Sequence, residues 1–119
     1  MTTPPLFHEQ LKNKMDTFAH LIYRLTKTFP KEELFGITSQ IRRAALSIIL
    51  NYIEGFARQG KTYNHFLDIS YGSLKETKYL LHFSLIEKHL HETMYKEALT
   101  LAEEIGAMPW KTMEARRHA

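Results

Sequence analysis

Six polar residues recur at steps of three and four within an otherwise apolar stretch of this sequence. Their side chains could form hydrogen bonds, pair charges or bind an anion. We call them the polar seam: Gln40, Arg43, Ser47, Asn51, Glu54 and Arg58. At about 100° per residue they occupy an arc of roughly 80° on an α-helix. A single helix can therefore present all six to the same neighbour.

Two interpretations of the seam remain open. In the favoured one it forms a structural polar network with Ser73 and Glu76 of a later helix and so fixes the register of the two helices. A buried charge costs several kcal/mol unless it is paired, so Arg43 would need Glu54 or Glu76 as a partner. In the other, the seam lines a pore or pocket of an oligomer and binds an anion through Arg43 and Arg58.

Other chemistry finds little support in the residue pattern. A di-iron bundle requires Glu-x-x-His pairs, and no glutamate here has a histidine three positions later. His89 and His91 could bind zinc, but two further ligands of obvious placement are lacking. The chain has no cysteine, which excludes thiolate metal sites and cysteine nucleophiles. We expect no metal, no cofactor and no enzymatic activity.

Helical periodicity runs through most of the 119 residues. Apolar residues spaced by three and four predict helices over about 8–28, 38–57, 62–87 and 92–105, with loosely ordered termini. Thr38 or Ser39 is expected to cap the second helix. No stretch alternates with the period of a strand. The sequence therefore predicts one all-α domain, an up-and-down four-helix bundle.

The second helix has too little polar surface for a helix that faces water. Apart from the seam and Arg42, nearly its whole circumference is apolar, whereas the apolar stripe of a surface helix usually covers little more than a third. We expect one side to pack inside the bundle and the other to form an oligomer interface. The expected interface residues are Leu46, Leu50, Ile53 and Phe56.

Positive charge is concentrated in the first half of the chain. Residues 1–63 have nine Lys/Arg and five Asp/Glu, a net +4, while residues 64–119 have seven and eight, a net −1. Assembly would multiply this field, which favours RNA binding. The candidate nucleic-acid-binding residues are Lys27, Arg42, Arg58 and Lys61. The alternatives are a protein–protein scaffold that ignores nucleic acid and, less favoured, a small-molecule pocket inside the bundle.

No apolar run approaches the roughly 20 residues needed to cross a bilayer, and the N-terminal residues lack the apolar core of a signal peptide. Together with the absence of cysteine, this favours a cytoplasmic protein.

Two segments resemble a known family. The run FPKEELFGITSQIRRAALSIILNYIEGFAR and the later FLDISYGSLKE are similar to the bacterial four-helix-bundle proteins encoded in intervening sequences of large-subunit ribosomal RNA genes. The matching positions include Phe29-Pro30, Ser39-Gln40, Arg43-Ala44, Ser47, Asn51, Glu54-Gly55-Phe56, Arg58, Phe66-Leu67, Gly72-Ser73 and Glu76.

The resemblance implies a small homo-oligomeric bundle, commonly a ring of five subunits, with no enzymatic activity attached to it. Related bundles include the accessory proteins of diversity-generating retroelements, which look like binders of RNA and of a reverse transcriptase. The expected partners are therefore further copies of the chain and RNA or an RNA-bound protein.

Overall fold

The computed structural model of the protein describes residues 3–58 and 60–108, with side chains placed over 7–58 and 62–108. These ranges contain four α-helices and no strand: α1 (Thr3–Leu25), α2 (Ser39–Phe56), α3 (Gly60–Ile86) and α4 (Glu92–Ala107). The predicted all-α four-helix bundle is thereby confirmed. The bundle measures 46 × 24 × 18 Å.

The spacing of apolar residues in α1 determines which side of that helix enters the core. Leu11, Met15, Phe18, Ile22 and Leu25 follow one another at steps of four and three, and all five are fully buried. The opposite side of α1 is charged and solvent-exposed. At its edge the Lys14 Nζ lies 3.2 Å from the Glu104 Oε1 of α4, which ties the first helix to the last.

A connector of short helical turns joins α1 to α2. It comprises two 3-10 turns, Thr26–Thr28 and Lys31–Glu33, and a π-helical turn, Leu34–Thr38, that is kinked at Gly36 and runs directly into α2. The predicted cap on α2 is wrong, because Thr38 has helical dihedral angles and makes no capping hydrogen bond. Its hydroxyl is buried without a partner among the described residues. Since the π turn continues into α2, that helix has no free N-terminus to cap.

Among the described elements, α2 packs most extensively against α3. The inner side of α2 buries Ile41, Ala45, Ile48 and Tyr52. From α1, the His8 Nδ1 hydrogen-bonds the Tyr52 hydroxyl. These contacts fix the rotation of α2 about its own axis and therefore decide which of its residues reach the surface.

The end of α3 is a tight turn with an unusual residue in it. Lys88 has a φ of 64°, in the left-handed region that glycine favours. The His89 N–H donates to the Ser84 carbonyl at 2.9 Å, and the Lys88 N–H to the Leu85 carbonyl at 3.0 Å. This pair of bonds is a Schellman motif, and it directs the chain into α4.

Candidate oligomer interface and basic surface

The predicted interface residues lie on the surface of the chain. Leu50 is 58% exposed, Ile53 47% and Phe56 38%, while Leu46 is half-buried. We call these four residues the α2 outer face. They are exposed because Ile41, Ala45, Ile48 and Tyr52 already occupy the side of the helix that enters the core. Leu50 and Ile53 are the most exposed part of this apolar face, whereas the Phe56 ring also lies against His8, with the ring centroids 4.1 Å apart.

Sequence reasoning missed a second group of exposed apolar residues. Phe35 in the connector is 94% exposed and its neighbour Leu34 is 49% exposed. On α3, Tyr79 and Ile86 are each 61% exposed. The signal for Phe35 was its position between Pro30 and Gly36, in a segment with no helical period to bury it. Its exposure depends on the kinked connector, which the periodicity did not reveal.

One part of the polar seam links α2 to α3. The Ser47 and Ser73 hydroxyls lie 2.7 Å apart, and the Asn51 Nδ2 donates at 2.8 Å both to the Ser47 hydroxyl and to the Ser47 carbonyl. Beside them, the buried Ser70 hydroxyl donates to the Ile48 carbonyl at 2.6 Å. These short side chains let the helices approach closely while they satisfy one another's hydrogen bonds.

The rest of the seam does not join that cluster. The Arg58 Nε donates to the Glu54 Oε2 at 2.8 Å, one helical turn away. Gln40, Arg43 and Glu76 are exposed, and no hydrogen bond or ion pair joins them to another described side chain. They line the α2/α3 cleft, a surface cleft of about 630 Å³ that also borders Phe35, Ser47 and Ser73. Within the described part of the chain, Arg43 is thus an unpaired cation at the mouth of this cleft.

Arg42 is held against the end of α1. Its Nε donates to the Thr26 Oγ1 at 2.8 Å, and its guanidinium lies 4.7 Å from the centroid of the Tyr23 ring. The interaction explains how an arginine can interrupt the apolar surface of α2. Because the Thr26 hydroxyl accepts one of the guanidinium hydrogen bonds and the Tyr23 ring covers one of its faces, Arg42 is only partly exposed to solvent.

The four candidate nucleic-acid-binding residues do not form one site. Lys27 is exposed near Arg42, whereas Arg58 is paired with Glu54 at the far end of α2. Sixteen residues of helix separate Arg42 from Arg58, about 24 Å at 1.5 Å per residue. The side chain of Lys61 lies outside the described residues. RNA spanning all four would have to follow the length of the helix.

An apolar cavity opens between α1 and α2. It has a volume of about 400 Å³, and Ala19, Tyr23, Leu46 and Ile49 line it. We call it the α1/α2 cavity. Its rim consists of charged and titratable side chains: Asp16, His20, Arg24 and Lys27. Asp16 and His20 lie 3.5 Å apart, while Arg24 and Lys27 have no acidic partner among the described residues.

Neither a metal site nor a membrane span is found within the described ranges. No group of three or more His, Asp or Glu side chains there could hold a metal ion. His89 lies beside the Phe29 ring, with the ring centroids 5.7 Å apart. None of the described helices has the length and apolar content that a membrane span requires.

Most of the chain is similar in sequence to one known protein family. The family model described as 23S rRNA-intervening sequence protein matches residues 9–111. A crystal structure of a protein of unknown function from the S23 ribosomal protein family of Bacteroides thetaiotaomicron is similar in fold, with a TM-score of 0.70 and 24% sequence identity. The similarity covers 80% of this chain and 90% of that one. No curated protein sequence matches the chain.

Proposed function

Because the chain belongs to the 23S rRNA-intervening sequence protein family, we propose that it is a non-catalytic, homo-oligomeric accessory protein that binds RNA or an RNA-associated protein. The observation that carries the proposal is the α2 outer face. Leu50 and Ile53 are about half exposed on a helix whose other side is buried in the core. Clustered apolar surface on an ordered helix is typical of a subunit interface. A ring of five copies, as the family resemblance implies, is the proposed assembly.

The RNA-binding part of the proposal is supported by unpaired cations. Lys12 on α1, Lys31 in the connector and Arg43 on α2 are exposed without an acidic partner among the described residues. Each subunit has a formal net charge of +3. A ring repeats this charge around its circumference, and phosphate binding grows with the number of cations that one nucleic acid can reach.

A scaffold that does not bind nucleic acid is the second candidate, and one observation favours it. Two of the predicted RNA-binding residues have partners within the chain. Arg42 is bound to Thr26 and Tyr23, and Arg58 to Glu54. In a scaffold these arginines would serve the fold alone, and the assembly would keep its mass when RNA is added.

Assembly is tested by light scattering of the wild-type chain at two salt concentrations. We expect a mass of several subunits that persists in high salt, because apolar contacts are not screened. Leu50→Asp with Ile53→Asp should give a folded monomer. Thr93→Asp with Thr100→Asp places two carboxylates at exposed positions of α4 and serves as the control. A monomeric wild type would refute the proposal.

RNA binding is tested with a structured RNA and its salt dependence. Arg42→Ala, Arg58→Ala and Lys61→Ala in one chain should weaken binding and lower the slope of log affinity against log salt by up to about 0.9 for each phosphate that is no longer bound. Lys75→Ala, Lys78→Ala and Lys96→Ala remove the same charge from α3 and α4 and should have the smaller effect. If the assembled wild type binds no RNA at low salt, the scaffold function replaces the RNA function.

A further inference from the structure

Phe35 is the most exposed large apolar side chain in the described part of the protein, at 94%. It stands at the kink in the connector, between Leu34 and Gly36, and its ring packs against no other described ring. Single exposed apolar residues are common on soluble proteins and need no partner. The exposure of Phe35 indicates a binding contact only because another surface of the same chain has an apolar cavity that could receive it.

The α1/α2 cavity suits an inserted aromatic side chain. Ala19, Leu46 and Ile49 provide apolar walls, Tyr23 also lines the cavity, and the volume is about 400 Å³. Leu46 also belongs to the α2 outer face, so the cavity is continuous with the proposed interface. An apolar knob and an apolar pocket on different surfaces of one chain are the elements of a head-to-tail contact.

Charge around the two surfaces is complementary. Glu32 and Glu33 come shortly before Phe35 in the connector and have no cationic partner among the described residues. On the cavity rim, Arg24 and Lys27 lack acidic partners within the same ranges. With Lys31 and with Arg43 and Glu76 of the adjoining cleft included, two cations and three carboxylates surround Phe35, and with Asp16 included, two cations and one carboxylate line the cavity rim. The two surfaces still have opposite formal charge, which favours one orientation of the interface.

The two surfaces also differ in direction. Phe35 borders the α2/α3 cleft together with Arg43 and Ser47, whereas Leu46 and Ile49 border the α1/α2 cavity. Around the α2 axis these two pairs of residues point about 110° apart. Surfaces inclined to each other in this way would curve a row of copies, as a closed ring requires.

We propose that Phe35 of one copy of this chain inserts into the α1/α2 cavity of the next copy, with Glu32 and Glu33 facing Arg24 and Lys27. The proposal rests on the homo-oligomer proposed above and names the contact that holds it together. The contact is head-to-tail, so every subunit gives one knob and receives one.

Disulfide trapping tests the contact directly, because the chain has no cysteine of its own. Leu34→Cys with Ile49→Cys leaves Phe35 in place and should form a ladder of covalent oligomers under mild oxidation. Ile49 lies ten residues into α2 from Ser39, about 15 Å along the axis, which is too far for a disulfide with residue 34 of the same chain. Leu34→Cys with Thr100→Cys on α4 should give no ladder.

Two outcomes of the trapping experiment would overturn the proposal. Leu34→Cys alone should remain uncrosslinked. If it gave an efficient dimer, two copies of the connector would meet each other in a symmetric contact. If the double variant gave no ladder while the wild type is assembled by light scattering, the ring would exist with a different contact. A monomeric wild type would refute both the assembly and this contact.

Substitutions test how much Phe35 and the four charged residues contribute to the stability of the assembly. Phe35→Ser should raise the concentration at which the ring dissociates by at least about thirtyfold, as for other central aromatic anchors. Phe35→Leu keeps an apolar knob and should assemble. Glu32→Lys with Glu33→Lys should weaken assembly, and so should Arg24→Glu with Lys27→Glu. All four changes together should restore it, and failure of this rescue would exclude the proposed pairing of charges.

Discussion

Gly55 of α2 faces Phe66 of α3 at a distance that leaves no room for a side chain. A Cβ added to Gly55 would lie 3.0 Å from the Phe66 Cβ and 3.2 Å from the Tyr63 carbonyl oxygen. Neither obstacle is the end of a flexible side chain. The glycine between Glu54 and Phe56 is therefore required by the close approach of two helix backbones.

This relationship predicts that Gly55→Ala lowers the free energy of unfolding. Overpacking of a close contact costs about 1–3 kcal/mol, more than alanine gains in helix propensity. Gly72 of α3 is the matched control, because an added Cβ there meets nothing within 4 Å. Gly72→Ala should raise stability by roughly 1 kcal/mol. Urea denaturation followed by circular dichroism measures both, and equal effects would contradict the close approach.

Lys88 offers a stabilising substitution. Its φ of 64° is unfavourable for any residue with a Cβ, and glycine removes that cost. Lys88→Gly should increase stability by about 1 kcal/mol, since the native conformation is kept. The midpoint of thermal unfolding is the measurement. Lys75→Gly, in the middle of α3, should decrease stability, and an equal response at both positions would show that the turn is not strained.

Arg42 and Arg58, near the two ends of α2, should contribute different amounts to the free energy of unfolding. Arg42→Ala removes the hydrogen bond to Thr26 and the stacking on Tyr23, which should lower stability by about 1–2 kcal/mol. Arg58→Ala breaks an ion pair whose two side chains are about half exposed and removes a longer contact with the Phe66 ring, 5.5 Å from the guanidinium. Solvent screening limits the combined effect to about 0.5–1 kcal/mol. Chemical denaturation of the two variants compares them. A larger effect for Arg58 would mean that Arg42 is not structural.

Two buried serines of α3 allow a test of whether hydrogen bonds between helices contribute to stability. Ser70 donates to the Ile48 carbonyl of α2, whereas Ser84 donates to the Leu80 carbonyl of its own helix. Both are fully buried. Ser70→Ala should lower the free energy of unfolding by about 1 kcal/mol more than Ser84→Ala. Alanine improves helix propensity equally at both positions, so the difference reports the hydrogen bond between the helices. Indistinguishable unfolding free energies would show that the Ser70 bond contributes nothing.

Periodicity was sufficient to predict the helices but not how the seam residues would pair. Spacing by three and four located the buried side of α1, because that pattern is a property of one helix. The direction of Arg43 around the helix axis suits a pair with Glu54, yet eleven residues separate them, about 16 Å along the axis. Glu54 instead pairs with Arg58, one turn away. The rise along the helix, as well as the angle around it, decides which seam residues meet.

The spacing of residues along one helix could not predict features that depend on how two elements of the fold meet. Residues of two helices line the α1/α2 cavity, among them Ala19 of α1 and Ile49 of α2, and periodicity does not align two helices. The exposure of Phe35 likewise follows from the kink at Gly36. The absence of a cap at Thr38 could not be predicted either, because it results from a π turn that continues into α2.

The close packing of α2 on α3 also bears on the order in which the chain folds. These helices are neighbours in sequence, so their contacts close only a short loop and cost little chain entropy. The ion pair between Lys14 and Glu104 instead joins residues 90 positions apart. We expect the α2–α3 hairpin to form the folding nucleus and α1 and α4 to dock afterwards. Substitutions at Ser70 would then slow folding, while substitutions at Lys14 would mainly speed unfolding.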